Sequence, residues 1–93
     1  MPATASVSSK SIIVADDTAF VRDRFKTALQ SVGHRIMAVA DASELLVRAR
    51  EEADRIDLVV LGLRLPPLPG PGLGRALRAV NGFEGRVCVF SGT

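Results

Sequence analysis

The sequence predicts an α/β fold in which a parallel sheet is covered by helices on both faces. Short runs of β-branched and other apolar residues alternate along the chain with segments whose apolar residues recur every three or four positions. The first pattern is typical of buried strands in parallel sheets and the second of amphipathic helices. Strands that alternate with helices are joined by right-handed crossovers, which build a parallel sheet with helices on both sides.

The first half of the sequence predicts two strands and the start of two helices. Residues 11–15 (SIIVA) are a β-branched run typical of a buried strand. A helix follows Thr18, with apolar residues spaced four apart on one stripe, and Gly33 ends it as a C′ residue. The second strand covers residues 36–39. Asp41 begins the second helix, because the glutamate three residues later completes a capping box.

The second half continues the alternation. Residues 58–61 (LVVL) predict a third strand, and residues 66–72, rich in proline and glycine, predict a loop. The apolar spacing over residues 73–80 indicates a short third helix. Residues 87–90 (VCVF) predict a fourth strand, after which three residues remain. The predicted order is therefore strand and helix in strict alternation, beginning and ending on a strand.

Composition restricts the class of protein. The chain has 93 residues, of which 47% are hydrophobic and 24% charged, so we expect one small domain over residues 11–93 after a disordered leader over residues 1–10. No apolar run reaches the roughly 18 residues of a membrane span, and residues 1–10 lack the apolar segment of a signal peptide, so we expect neither feature. The single cysteine, Cys88, excludes an internal disulfide, favours a cytoplasmic location, and is expected to pack within its strand. A net charge of +2, with four Phe and no Tyr or Trp, argues against a nucleic-acid surface.

Ligands of open parallel sheets bind at the carboxyl ends of the strands, so the residues that follow each strand are the candidates for function. Asp16 and Asp17 directly follow the first strand. Two adjacent carboxylates there can hold a divalent cation such as Mg²⁺ through oxygen ligands. The alternative is structural: Asp17 caps the first helix and Asp16 is solvated. The sequence leaves both interpretations open.

The chain resembles the receiver domain of two-component response regulators. The matching residues, in chain order, are Asp16–Asp17, the segment 57–66 (DLVVLGLRLP), Gly70 and Ser91–Gly92. The resemblance extends over residues 11–93. It implies a flavodoxin-like three-layer fold with the strand order 2-1-3-4, lacking the last strand and the last helices that are usual in the family. A fragment of a longer receiver would have the same pattern.

The resemblance also implies a site, and the sequence departs from it. In the family, an aspartate at the end of the third strand accepts a phosphoryl group, the acidic pair holds Mg²⁺, and a hydroxyl on the fourth strand and a lysine on the fifth complete the site. Here the acceptor position is Gly62 and the hydroxyl position is Ser91, and no lysine is present at the remaining position. Asp57 cannot replace the acceptor, because it lies at the opposite end of a strand roughly 16 Å long.

These departures predict a degenerate receiver. Phosphorylation at Gly62 is chemically excluded, and Asp16 and Asp17 would bind Mg²⁺ only weakly, because one carboxylate ligand is missing. We therefore expect a signalling module that is not an enzyme, requires no cofactor, and acts by binding a protein partner or a second copy of itself. The expected interface is the fourth strand, with the residues Val87, Val89 and Phe90, together with the exposed face of the sheet.

Two other functions are compatible with the same residues. The first is a phosphorelay receiver that is still phosphorylated, with Asp16 or Asp17 as the acceptor. The second is a nucleotide or small-ligand site at the strand ends. Against the second, the segment after the first strand (ADDT) presents carboxylates where a phosphate would need backbone N–H groups.

Overall fold

The computed structural model describes residues 9–62 and 70–90, and within them strands and helices alternate as predicted. The elements are β1 (Ser11–Ala15), α1 (Ala19–Gln30), β2 (Arg35–Val39), α2 (Ala42–Glu51), β3 (Leu58–Gly62), α3 (Gly70–Arg78) and β4 (Arg86–Phe90). Strands β2 and β4 begin one residue earlier than predicted, and β3 ends one residue later. Most of the predicted leader, the first part of the Pro/Gly-rich loop, and Ser91 lie outside the described residues.

The beginning of α3 differs most from its prediction. The helix begins at Gly70, inside the segment that the sequence predicts to be a loop. Pro71 is therefore part of its first turn. Proline is tolerated there, because the first N–H groups of a helix have no partner within the helix and the fixed φ of proline suits the helical backbone.

The four strands form one parallel sheet in the order β2-β1-β3-β4, as the resemblance implies. Strand β1 lies between β2 and β3, with Ile13 opposite Met37 on one side and Val59 on the other. Residues 12–15 of β1 are all buried. A strand that is paired on both edges and buried on both faces must be apolar throughout, which explains the run of β-branched residues.

The two faces of the sheet are covered unequally. Helices α2 and α3 cover one face, where Leu45, Leu73 and Leu77 are fully buried against the strands. The other face carries a smaller cluster of Ile12, Val14 and Val60, against which side chains of α1 pack. No residue of α1 is buried. Among the described residues, α1 is the only helix on its face.

The helix ends follow the signals in the sequence. Gly33 has a φ of 95°, and its N–H donates to Gln30 O at 3.0 Å while the next N–H, that of His34, donates to Leu29 O at 3.2 Å. These are the two bonds of a Schellman motif with glycine at C′. At the start of α2, Asp41 Oδ1 accepts from Glu44 N at 2.8 Å. Gly33 and Asp41 are therefore confirmed as capping residues. The capping box is incomplete, because Glu44 Oε1 accepts from the N–H of Ala40 at 3.3 Å rather than from that of Asp41.

Cys88 is exposed, which contradicts its predicted role in packing. Its position in the register is opposite Val60, on the face that α1 covers. Helix α1 packs mainly against β1 and β2, and Cys88 is left exposed. No helix among the described residues is long and apolar enough to cross a membrane.

Removing the N-cap side chain of α2 tests whether Asp41 stabilises this helix. We expect Asp41→Ala to lower the free energy of unfolding by about 1 kcal/mol, because Glu44 N–H loses its acceptor. Asp41→Asn keeps an acceptor oxygen and is the matched control, with a cost well below that of alanine. Urea unfolding followed by circular dichroism measures both. Equal losses for the two variants would contradict the assigned cap.

Candidate functional site

The carboxyl ends of β1 and β3 bring the predicted site residues together. Ala15 is opposite Leu61 in the parallel register, so the residues that follow them, Asp16 and Gly62, are neighbours. Asp16 is half-buried and Asp17 is exposed. Gly62 is also opposite Phe90, so the end of β4 borders the same site. The sequence therefore predicts correctly which strand ends meet.

Asp16 is held in place by three hydrogen bonds. Its backbone N–H donates to Val39 O at 3.1 Å, which ties it to the end of β2. Its carboxylate oxygen Oδ2 accepts from Thr18 N at 2.9 Å. Its carbonyl oxygen accepts from Arg22 Nη1 at 2.7 Å. The sequence analysis did not identify Arg22 as part of the site, although its position one turn into α1 is compatible with reaching back to the strand end.

Asp17 does not cap α1, so that structural alternative is wrong. The N-cap residue is Thr18, and its side chain makes no capping hydrogen bond. Asp17 Oδ1 instead accepts from Thr18 Oγ1 at 3.3 Å. Nor is Asp16 only solvated, because its carboxylate is fixed by the Thr18 N–H. The two carboxylates thus differ: one is anchored beside β3 and the other is exposed.

Gly62 is packed directly against the Asp16 carboxylate. A Cβ atom on residue 62 would overlap Asp16 Oδ1, and it would lie 3.2 Å from Asp16 Cγ and 3.3 Å from Ala15 O. Oδ1 of Asp16 therefore occupies the space that a side chain at residue 62 would need. Nothing in the sequence indicates this contact, because the spacing of the landmarks does not show which neighbour fills the space left by a glycine.

The oxygen atoms available to a cation are few. The described residues contain no group of three or more His, Cys, Asp or Glu side chains that could hold a metal ion. Asp16 and Asp17 offer the hard oxygen donors that Mg²⁺ prefers, and Mg²⁺ often uses one or two carboxylates together with phosphate oxygens and water. The donor type fits the ion. One oxygen of each carboxylate already accepts a hydrogen bond from Thr18, so the pair is only a partial site.

The remaining predicted residues lie apart from the acidic pair or outside the described residues. Asp57 is at the opposite end of the sheet, where its Oδ2 accepts from Ser11 N at 2.9 Å, so it cannot act at Gly62. Val87 is half-buried and Val89 is 47% exposed. Phe90 ends β4, but its side chain is not among the described features, and Ser91 is outside the described residues.

A parallel sheet of this order, with an acidic pair after the first strand, is the arrangement of a receiver domain, and comparison with known proteins gives the same class. The model of the response regulator receiver domain family matches residues 12–93. The chain therefore belongs to the response regulator receiver domain family.

Individual relatives are similar to this chain over only part of their own length. The chain is 33% identical over 93 residues to the sensor histidine kinase AruS of Pseudomonas aeruginosa, covering 99% of this chain and 9% of that protein. It is 40% identical over 68 residues to the response regulator PhoP of the same organism, covering 73% of this chain and 29% of that protein. It is 33% identical over 85 residues to the transcriptional regulatory protein PrrA of Mycobacterium tuberculosis, covering 91% and 35%. The chain thus spans about a third or less of the length of these relatives.

Solved structures confirm the fold. A response regulator receiver protein from Pseudomonas putida superposes with a TM-score of 0.78 at 27% identity, covering 91% of this chain and 69% of that chain. CheY of Borrelia burgdorferi, solved as a CheX-CheY-BeF3-Mg complex, superposes with a TM-score of 0.81 at 21% identity, covering 90% and 63%. At that identity the second similarity concerns the fold alone.

The contact between Asp16 and Gly62 predicts a coupled pair of substitutions. We expect Gly62→Ala to lower the free energy of unfolding by about 1–3 kcal/mol, because the new methyl group must displace the anchored carboxylate. In an Asp16→Ala background the same substitution should cost much less, because the overlapping oxygen is gone. Chemical denaturation of the four proteins of this cycle gives the coupling free energy.

Gly74→Ala is the matched control for the glycine substitution. A Cβ on Gly74, within α3, meets no atom within 4 Å. Alanine there should be neutral or stabilising by up to about 1 kcal/mol. If Gly62→Ala were as harmless as Gly74→Ala, the Asp16 carboxylate would not be held in the space beside Gly62.

Proposed function

We propose that this receiver domain acts in two-component signalling by binding a protein partner or a second copy, and that it does so without phosphorylation. One observation carries the proposal: the phosphoryl-acceptor position is Gly62, and the space beside it is filled by the carboxylate of Asp16. A chain that lacks the acceptor keeps the receiver fold as a binding surface. The proposed domain is not an enzyme and requires no cofactor.

The chemistry of aspartyl phosphorylation supports this proposal. Phosphoryl transfer requires a nucleophilic oxygen in line with the leaving group and a cation that neutralises the charge developing on the phosphoryl oxygens. Gly62 supplies no oxygen. The cation would rest on Asp16 and Asp17 alone, and fewer ligand charges mean weaker binding. We therefore propose that Mg²⁺ binds weakly and that its binding is not needed for function.

A second candidate function is favoured by the position of Asp16 itself. Its Oδ1 lies beside the Gly62 backbone, next to where an acceptor carboxylate would project, so Asp16 could take the role of the nucleophile. In that case Asp16 would lose its negative charge on forming the acyl phosphate. Asp17 would then be the only carboxylate left to hold Mg²⁺, which makes this candidate the weaker of the two.

The proposed location and partners are those expected of a receiver domain. Receiver domains bind other proteins, and CheY of Borrelia burgdorferi was solved in complex with CheX. We propose a cytoplasmic protein partner or a homodimer, with contacts made by β4 rather than by the strand-end site. Neither a membrane nor a nucleic acid is part of the proposal, because the charged residues give a net charge of only +2.

Intact-mass measurement after incubation with acetyl phosphate and Mg²⁺ tests the proposal. We expect no phosphoryl adduct on the wild-type chain, while a receiver that has its acceptor aspartate, treated in parallel, becomes labelled. Asp16→Asn and Asp17→Asn separate the two candidate functions. An adduct that is present in the wild type and lost in Asp16→Asn would overturn the proposal and assign the acceptor to Asp16.

A further inference from the structure

The backbone N–H groups at the start of β1 donate to side chains rather than to backbone carbonyls. Lys10 N, directly before the strand, donates at 3.1 Å to Nδ1 of His34, the residue that precedes β2. Ser11 N donates at 2.9 Å to Oδ2 of Asp57, the residue that precedes β3. A titratable side chain on each side therefore holds the start of the central strand.

The turn between α1 and β2 fixes the backbone of His34. Its N–H donates to Leu29 O at 3.2 Å in the Schellman motif around Gly33. The following N–H, that of Arg35, donates to Lys10 O at 2.8 Å. Lys10 is therefore bonded to two consecutive residues, through its N–H and through its C=O. Of these two bonds, only the one to the imidazole depends on the charge of a side chain.

The bond from Lys10 to His34 needs a neutral imidazole. A neutral ring carries a hydrogen on one nitrogen and accepts with the other, so Nδ1 accepts only when the hydrogen is on Nε2. An imidazolium has an N–H on both nitrogens and accepts nothing. Protonation would therefore bring two N–H donors face to face and break the bond. Histidine is the side chain that ordinarily changes charge between about pH 5 and 8.

The neighbouring bond, from Ser11 to Asp57, does not have this dependence. A carboxyl group keeps an acceptor oxygen in both of its protonation states. Asp57 is also tied to β1 through its own N–H, which donates to Ser11 O at 2.8 Å. The two adjacent N–H groups therefore differ: the acceptor of Lys10 N–H is lost on protonation, and the acceptor of Ser11 N–H is not.

The charged groups near His34 come from several elements. His34 shares one recess with the charged residues Lys10, Asp54, Asp57, Glu84 and Arg86. From α1 the apolar Leu29 lines the same recess. Arg35, the next residue along β2, directs its guanidinium to Ser11, where Nη2 donates to Oγ at 2.9 Å. Because carboxylates line the recess together with cations, an imidazolium there would have neighbours of both signs.

We propose that His34 is a pH-responsive anchor for the start of β1. The neutral ring holds the Lys10 N–H, and protonation of the ring as the pH falls releases it. Because Lys10 O keeps its bond to Arg35 N–H, the release is local and the sheet persists. The anchor is at the opposite end of the sheet from Asp16, so it goes beyond the proposed function and does not depend on phosphorylation.

Amide exchange of the ¹⁵N-labelled 93-residue chain tests the anchor at Lys10. The protection factor compares the exchange rate of an amide with that of an unstructured chain, and so it reports local opening. We expect the Lys10 protection factor to fall about three- to tenfold from about pH 7.5 to about pH 5.5, as for the loss of one hydrogen bond of ordinary net strength. Ser11 is the internal control and should keep its protection. An unchanged Lys10 protection factor would overturn the proposal.

His34→Asn is the matched variant, because it keeps an acceptor but cannot be protonated. Its Oδ1 can accept from the Lys10 N–H at either pH, so the protection should remain and should not change with pH. His34→Ala removes the acceptor, and the protection should be low at both pH values. Circular dichroism checks that both variants keep the fold. A loss in His34→Asn equal to that in the wild type would assign the effect to another group and overturn the proposal.

Ring ¹⁵N spectra of the wild type test the same bond without a substitution. The structure requires the neutral ring to carry its hydrogen on Nε2, so at high pH Nδ1 should give the signal of an unprotonated nitrogen. The Lys10 amide signal should then shift with the same midpoint as the ring signals as the pH is lowered. A hydrogen on Nδ1 of the neutral ring would overturn the proposal. None of these outcomes involves phosphoryl labelling, so failure of the anchor would leave the proposed function standing.

Discussion

The structure depends on β1, the strand that is hydrogen-bonded on both edges and buried on both faces. It joins β2 to β3, and its own end fixes Asp16, whose N–H is bonded to Val39 O. Because Thr18 N–H then holds the carboxylate, the side chain has little freedom to leave the space beside Gly62. The absence of a side chain at residue 62 and the position of the Asp16 carboxylate are therefore parts of one packing arrangement.

The strands and helices could be predicted because each is determined by local residues. The apolar runs specify buried strands, and Asp41 and Gly33 mark helix ends through bonds to their own neighbours. The contact between Asp16 and Gly62 could not be predicted, because it depends on the relative height of two strand ends that are 46 residues apart in the chain. The packing predicted for Cys88 was wrong for a similar reason: an apolar strand indicates burial, but the cover must come from another element.

The two faces of the sheet are covered by different numbers of helices, and this difference determines which described residues are exposed. On the α2 and α3 side, leucines such as Leu45 and Leu73 are removed completely from solvent, so that face supplies most of the hydrophobic stabilisation. On the α1 side the helix has no buried residue, and its apolar stripe covers β1 and β2. The exposed part of this face adjoins β4. Only Cys88 of β4 belongs to this exposed part, because Val87 packs against the principal core on the opposite face.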